Sequence, residues 1–160
     1  MDKKLIYITV GLILVFVATA KANIMQNLIP DNGKLNYPVK GKLIVTSPFG
    51  WRILRGVKDW HNGVDLISDD QNVYAPANGI VDKIYSNDLG GKQMVISHYN
   101  GYTTGYADIG QCFVAVGQLV QQGQKICTMG TGGNATGVHI HFTVREKNAT
   151  ATIDPLKVLS

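Results

Sequence analysis

Residues 135–144, ATGVHIHFTV, decide how the rest of the chain is read. Four residues of apolar type alternate with His139, His141 and Thr143 over the last seven positions. Side chains on a strand point to opposite faces in turn, so Val138, Ile140, Phe142 and Val144 face one way, into a core. His139 and His141 then share the other face with Thr143 and Arg145, their Cβ atoms roughly 7 Å apart at two strand residues of rise. Two imidazoles on one face of an otherwise apolar strand can serve a single site, since imidazole binds metal and exchanges protons near neutral pH.

The chain around this strand reads the same way. Short apolar runs such as KLIVTS, GIVDKIYS, KQMVISH, CFVAVG and KICTMG recur every 8 to 12 residues between Gly, Asn and Asp. That spacing predicts an all-β, compact antiparallel domain over residues 39–160. The 18 glycines and 45% hydrophobic content of the 160 residues suit such a turn-rich fold. No segment after residue 22 sustains a helical period, and only DPLKVLS at the end suggests a helical turn.

Residues 5–20, LIYITVGLILVFVATA, carry no charge and lie between Lys3-Lys4 and Lys21. Residues 1–21 therefore read as one N-terminal hydrophobic helix, either a membrane anchor or a signal peptide with a small-x-small site at Ala20-Lys21-Ala22. Both readings place the rest of the chain across the membrane, periplasmic or extracellular, anchored or secreted. Residues 22–38, polar and carrying Pro30, Gly33 and Pro38, read as a linker. From Ala22 onward there are 12 basic and 10 acidic residues, a net +2. That balance gives no nucleic-acid footprint. GTGGNATG, residues 130–137, lacks a Gly-Lys-Ser/Thr ending and leads into a strand, so no nucleotide is expected there. It reads instead as a loop walling a cleft. Cys112 and Cys127 read as a cross-strand disulfide or as two buried thiols, and not as zinc ligands.

A second group of chemical residues lies in DWHNGVDL, where His61 and Asp65 enter a strand through a turn. A hydrolytic zinc site takes three N or O donors and leaves one position open. His61, Asp65 and one of the two strand histidines supply that set. There is no His-Glu-x-x-His helix and no Gly-x-Ser-x-Gly elbow. The single glutamate, Glu146, has strand parity opposite to His141 and faces away. The base is then the spare strand histidine or an aspartate. His98, ending QMVISH, reads as a structural histidine at a strand edge.

Taken in order, TSPFGWR, HNGVDL, VYAPANGIV, NGYTTGYADI, GQLVQQGQKI and TGVHIHF resemble the LytM/lysostaphin-type zinc endopeptidases from about residue 42 to residue 159. The resemblance implies a zinc-floored groove, one Zn2+ per chain, and hydrolysis of peptide cross-links in bacterial peptidoglycan. It assigns His61, Asp65 and His141 as metal ligands and His139 as a catalytic histidine that does not bind metal. Asp108, in YADI, stands where the family usually has a second catalytic histidine. It is carried as a catalytic residue in an altered role, orienting His139, accepting a proton or joining the metal. The tyrosine that some members place before the first ligand has no counterpart between Ile53 and Trp60. Asn134, Thr136 and Tyr106 are placed along the substrate groove. Two further readings stand beside the peptidase. One is a catalytically impaired module that binds peptidoglycan or regulates a hydrolase; the other is a structural component of a virion or envelope machine.

Overall fold

The computed structural model describes residues 34–133 and 135–160 of the chain. The hydrophobic run at residues 5–20 and the groove residue Asn134 lie outside the described residues. Among the described residues, no helix is long and apolar enough to cross a membrane. They form twelve strands: β1 (Ile44–Ser47), β2 (Gly50–Leu54), β3 (Val57–His61), β4 (Val64–Ile67), β5 (Asn72–Tyr74), β6 (Gly79–Asn87), β7 (Gly91–His98), β8 (Tyr102–Ala107), β9 (Ile109–Cys112), β10 (Leu119–Val120), β11 (Lys125–Met129) and β12 (Ile140–Glu146). Seven of them make one sheet in the order β1-β4-β12-β8-β7-β6-β10. A three-stranded sheet, β5-β11-β9, and the β2-β3 hairpin complete the domain. All pairings between these strands are antiparallel, as the turn spacing predicts.

The ATGVHIHFTV stretch becomes β12, the strand between β4 and β8. Ile140, Phe142 and Val144 are fully buried beside Val64, Leu66 and Met94. Burial of each such side chain contributes roughly 1.5–3 kcal/mol, so the apolar face of β12 fixes which way its histidines point. A one-residue slip would exchange the two faces, and this face cannot afford it. Val138, expected in the same core, is 42% exposed because the strand begins only at Ile140. Before it, His139 makes a single bridge to Gly130.

The register carries the site. His141 lies opposite Asp65 on β4 and opposite Ala107 on β8. Asp108 follows at the corner where the chain leaves the large sheet for β9, and its backbone is left-handed, φ 58°. Gly63, in the turn between β3 and β4, lies under β12: a Cβ there would sit 2.5 Å from the Phe142 carbonyl oxygen and 2.9 Å from the His141 ring. Only glycine permits that approach.

The linker reading of residues 22–38 fails at its C-terminal end. Leu35 is fully buried and bridges in parallel to Leu159, and the Ser160 N–H donates to its carbonyl. A lone leucine among polar residues shows no alternation; its partner is the far end of the chain. That end forms a short 3₁₀ turn, Pro155–Lys157, capped by Asp154, which accepts from the Leu156 N–H. Cys112 and Cys127 lie opposite each other on β9 and β11 as free thiols.

His98 is buried at the end of β7, and its role is structural. Nδ1 lies 3.1 Å from the Ala77 carbonyl, which can only accept, so Nδ1 carries the proton. Nε2 then accepts from Thr104 Oγ1 at 2.7 Å, and Thr104 in turn touches the buried Tyr106 hydroxyl. Burial pushes the His98 pKa down to about 4. The unfolded chain takes up a proton below the ordinary value near 6.5 that the folded chain refuses. Stability is therefore full above about pH 6.5 and falls toward pH 4, by roughly 3 kcal/mol at most. Urea midpoints measured from pH 7 to 4.5 should show this decline in the parent and a flatter profile in His98→Gln. Gly63→Ala should lower the urea stability by roughly 1–3 kcal/mol, the usual cost of overpacking, because β12 must move.

Candidate metal centre

His61 ends β3, Asp65 is the second residue of β4 and His141 the second of β12. The turn at Asn62-Gly63 brings the first two together, and the β4–β12 register adds the third. His61 Nε2 lies 3.1 Å from Asp65 Oδ1 and 3.0 Å from His141 Nδ1; His141 Nδ1 lies 2.9 Å from Asp65 Oδ1. Among the described residues, these three form the group that could hold a metal ion.

The outer nitrogens settle which atoms face inward. His61 Nδ1 lies 2.8 Å from the Pro48 carbonyl, so it donates there and its Nε2 presents a lone pair. His141 Nε2 donates to Asn62 Oδ1 at 3.1 Å, leaving the Nδ1 lone pair inward. Two imidazole lone pairs and a carboxylate oxygen thus converge within about 3 Å of one another. Donors bonded at ~2.0–2.1 Å to one tetrahedral zinc would be ~3.3 Å apart, so the donor set fits that metal. Burial alone would raise the Asp65 carboxyl; where an inward nitrogen of His141 or His61 carries a proton in place of a cation, it outweighs burial and holds Asp65 far below the usual carboxylate range. Arg52 reaches this group from the β2-β3 hairpin: Nη1 lies 3.4 Å from Asp65 Oδ2 and donates to Ser47 Oγ at 2.8 Å, while Nε donates to Asp59 at 2.9 Å.

His139 stands beside this group. Its Nδ1 donates to the Gly137 carbonyl at 2.8 Å. Its Nε2 is 3.4 Å from Asp108 Oδ2 and 3.9 Å from Asp65 Oδ1. Both nitrogens thus face oxygens that accept, and the Asp108 carboxylate leads in raising the imidazole pKa to about 9. Asp108 is buried, and its Oδ1 has no hydrogen-bond partner among the described residues. It falls outside the three-atom group.

The group floors a groove of about 560 Å³. The hairpin residues Arg52, Leu54 and Arg55 wall one side; Leu89 and Gly90, in the β6-β7 turn, and Thr136 also line it. Thr136, read from sequence as a groove residue, is among the residues lining it. Tyr106 is not: its side chain is 2% exposed and packs on Phe142 at 5.4 Å, with its hydroxyl against Thr104. Strand parity explains the correction, because Tyr106 pairs with Phe142 and shares its core face, while Ala107 pairs with His141. Sequence reading passed over Arg52 and Asn62. Their positions inside FGWR and HNG, the second directly after His61, were the available signal.

The family model for Peptidase family M23 matches residues 59–155, spanning all five of these chemical residues. The chain is 32% identical over 118 residues to the peptidoglycan DD-endopeptidase ShyB of Vibrio cholerae, covering 73% of this chain and 24% of that protein. It is also 32% identical over 127 residues to the murein hydrolase activator NlpD of Escherichia coli K12, covering 77% and 30%. Among solved structures, a zinc-containing peptidase from Vibrio cholerae superposes with a TM-score of 0.67 at 33% identity, covering 79% of this chain and 41% of that one. The chain thus spans only about a quarter of the length of the first of these curated relatives. With its antiparallel fold and the match running from β3 to the terminal turn, the chain belongs to Peptidase family M23, as a LytM-type metallopeptidase domain.

Proposed function

We propose that the domain is a zinc-dependent endopeptidase that hydrolyses peptide cross-links of bacterial peptidoglycan. The observation that carries this reading is the convergence of His61 Nε2, Asp65 Oδ1 and His141 Nδ1 on the floor of an open groove. The names of ShyB and of the Vibrio zinc-containing peptidase support the substrate and the metal. In this reading His61, Asp65 and His141 hold the zinc. A bound zinc would polarise the scissile carbonyl and acidify water there.

The chain's own residues do the rest. Pro48 and Asn62 fix the two ligand rings through their outer N–H groups, as partners of metal-binding histidines usually do. Arg52 fixes the far oxygen of Asp65. Both nitrogens of His139 face oxygens that accept, Asp108 and the Gly137 carbonyl, which favours an imidazole that donates. Its Nε2–H stabilises the oxygen that gains charge as the amide carbon becomes tetrahedral and gives a proton to the departing amine; the proton that the attacking water gives up to solvent restores it. Asp108 keeps that imidazole charged and aimed. The same reading places the domain on the periplasmic or extracellular side of a membrane, tethered by or released from residues 1–21.

One observation favours a second reading. NlpD is named as an activator of murein hydrolases, and this chain also departs from the family's second catalytic histidine. A regulator would bind peptidoglycan and zinc without releasing peptides.

Digestion of purified peptidoglycan by the metal-loaded chain separates the two. Release of soluble peptides is expected from the parent, and parent chain that holds zinc but releases none would establish the regulator. His141→Ala should lose the metal, read as zinc per chain falling from one toward zero, and lose all digestion. His139→Ala should keep the zinc while kcat falls on the order of 10²–10³, the usual loss on removing one oxyanion donor. Asp108→Asn should also keep the zinc and lose turnover, by less than His139→Ala. If His139→Ala and His141→Ala digest the wall as well as the parent, the enzymatic reading is wrong.

A further inference from the structure

The β2-β3 hairpin presents an apolar surface of which the groove takes in only Trp60. Its two strands pair Trp51 with Trp60 and Ile53 with Lys58, which puts these four side chains on one face. Arg52 and Asp59 pair on the opposite face, toward the groove. Ile53 is 71% exposed, Val57 67% and Trp51 65%. Trp60 packs edge-on against Phe49 and Trp51 at 5.3 Å each. The two-residue tip, Arg55-Gly56, has both residues left-handed, at φ 51° and 80°. That is the tight turn whose twist suits a hairpin, so the element is a built projection.

We propose that this hairpin seats tip-first on the interface of an anionic lipid bilayer, with the Trp51-Trp60 face at headgroup level and, beside the tip, Ile53 from that face and Val57 from the opposite face in the acyl boundary. Three observations select lipid. The first is charge: Asp59, the hairpin's single carboxylate, is held by Arg52. Arg55 and Lys58 are left without a carboxylate partner among the described residues, and Lys58 Nζ lies 4.5 Å over the Trp51 ring. An aliphatic tip flanked by indoles and two uncompensated cations matches a negatively charged headgroup layer.

The second observation is what surrounds the indoles. A sugar face needs hydrogen-bonding side chains beside a flat ring, whereas the neighbours on this face are Ile53 and Lys58, and Trp51 and Trp60 meet at 73° instead of forming a platform. The third lies in the sequence. The uncharged residues 5–20, bracketed by Lys3, Lys4 and Lys21, read as a membrane anchor or a signal peptide, and in the anchored form the 13 residues between Lys21 and Leu35 reach at most roughly 45 Å when extended. A domain held that close to a bilayer meets it at high effective concentration.

The chain's two tryptophans, Trp51 and Trp60, are both on this face, so intrinsic fluorescence reports on the hairpin alone. The full chain is placed in vesicles of phosphatidylglycerol and phosphatidylcholine whose acyl chains are brominated. The expected result is about a twofold or greater loss of tryptophan emission, weaker in pure phosphatidylcholine and weaker at high salt. Ile53→Ser/Val57→Ser should stay with the vesicles through residues 5–20 and keep its zinc and thermal midpoint, yet lose the quenching. Parent emission that brominated lipid leaves unchanged overturns the proposal. So does protection from acrylamide by soluble glycan strands without lipid quenching, which would assign the face to sugar. Concentration-dependent protection in the absence of vesicles would assign it to a second copy and overturn the proposal equally.

Discussion

Three hydrogen-bond acceptors point at one another in the middle of this domain. His61 Nε2, Asp65 Oδ1 and His141 Nδ1 lie 2.9–3.1 Å apart, and the outer nitrogen of each ring is committed to an oxygen that only accepts. Lone pairs at that separation repel unless a cation or added protons lie among them. The arrangement is one that a divalent metal would stabilise, and metal binding to it becomes part of the folding free energy. The rest of the domain serves to hold these atoms where they would otherwise not stay.

The means are rigid ones. The apolar side of β12 is locked into the core by Ile140, Phe142 and Val144, so His141 cannot rotate out without unburying them. Gly63 lets the β3-β4 turn pass under β12 at a distance no side chain allows. Arg52 ties the hairpin to Asp65, which makes one element serve both the groove wall and the exposed aromatic face. Asp108 occupies the corner where the chain changes sheets, in a backbone conformation that non-glycine residues seldom adopt. Its N–H is fixed to the Gly90 carbonyl at 2.9 Å, so its carboxylate is presented to His139 by the backbone.

Much of this was legible in the one-dimensional pattern. Alternation across VHIHF gave the common face of His139 and His141, because strand parity depends only on local sequence. The same rule, applied from β12 across to β8, would have put Tyr106 with Phe142 in the core; it went unread because cross-strand register is a long-range property. Leu35 escaped for a similar reason, since its burial depends on Leu159 at the other end of the chain. The tautomers of His61 and His141 were out of reach, because they are set by Pro48 and Asn62 through folded geometry. Val138 shows the limit of alternation itself, which cannot say where a strand begins. His98 was read as structural and is so, though it lies deeper than an edge position implies.

The claim on which the account turns is that two imidazoles and one carboxylate share a zinc ion. X-ray absorption at the zinc edge on the metal-loaded chain addresses it directly. The account predicts one zinc per chain with two imidazole nitrogens and oxygen donors at ~2.0–2.1 Å, and no sulfur shell. A spectrum with sulfur at ~2.3 Å, which would point to Cys112 and Cys127, or one showing only water-like oxygens and no imidazole, would contradict it.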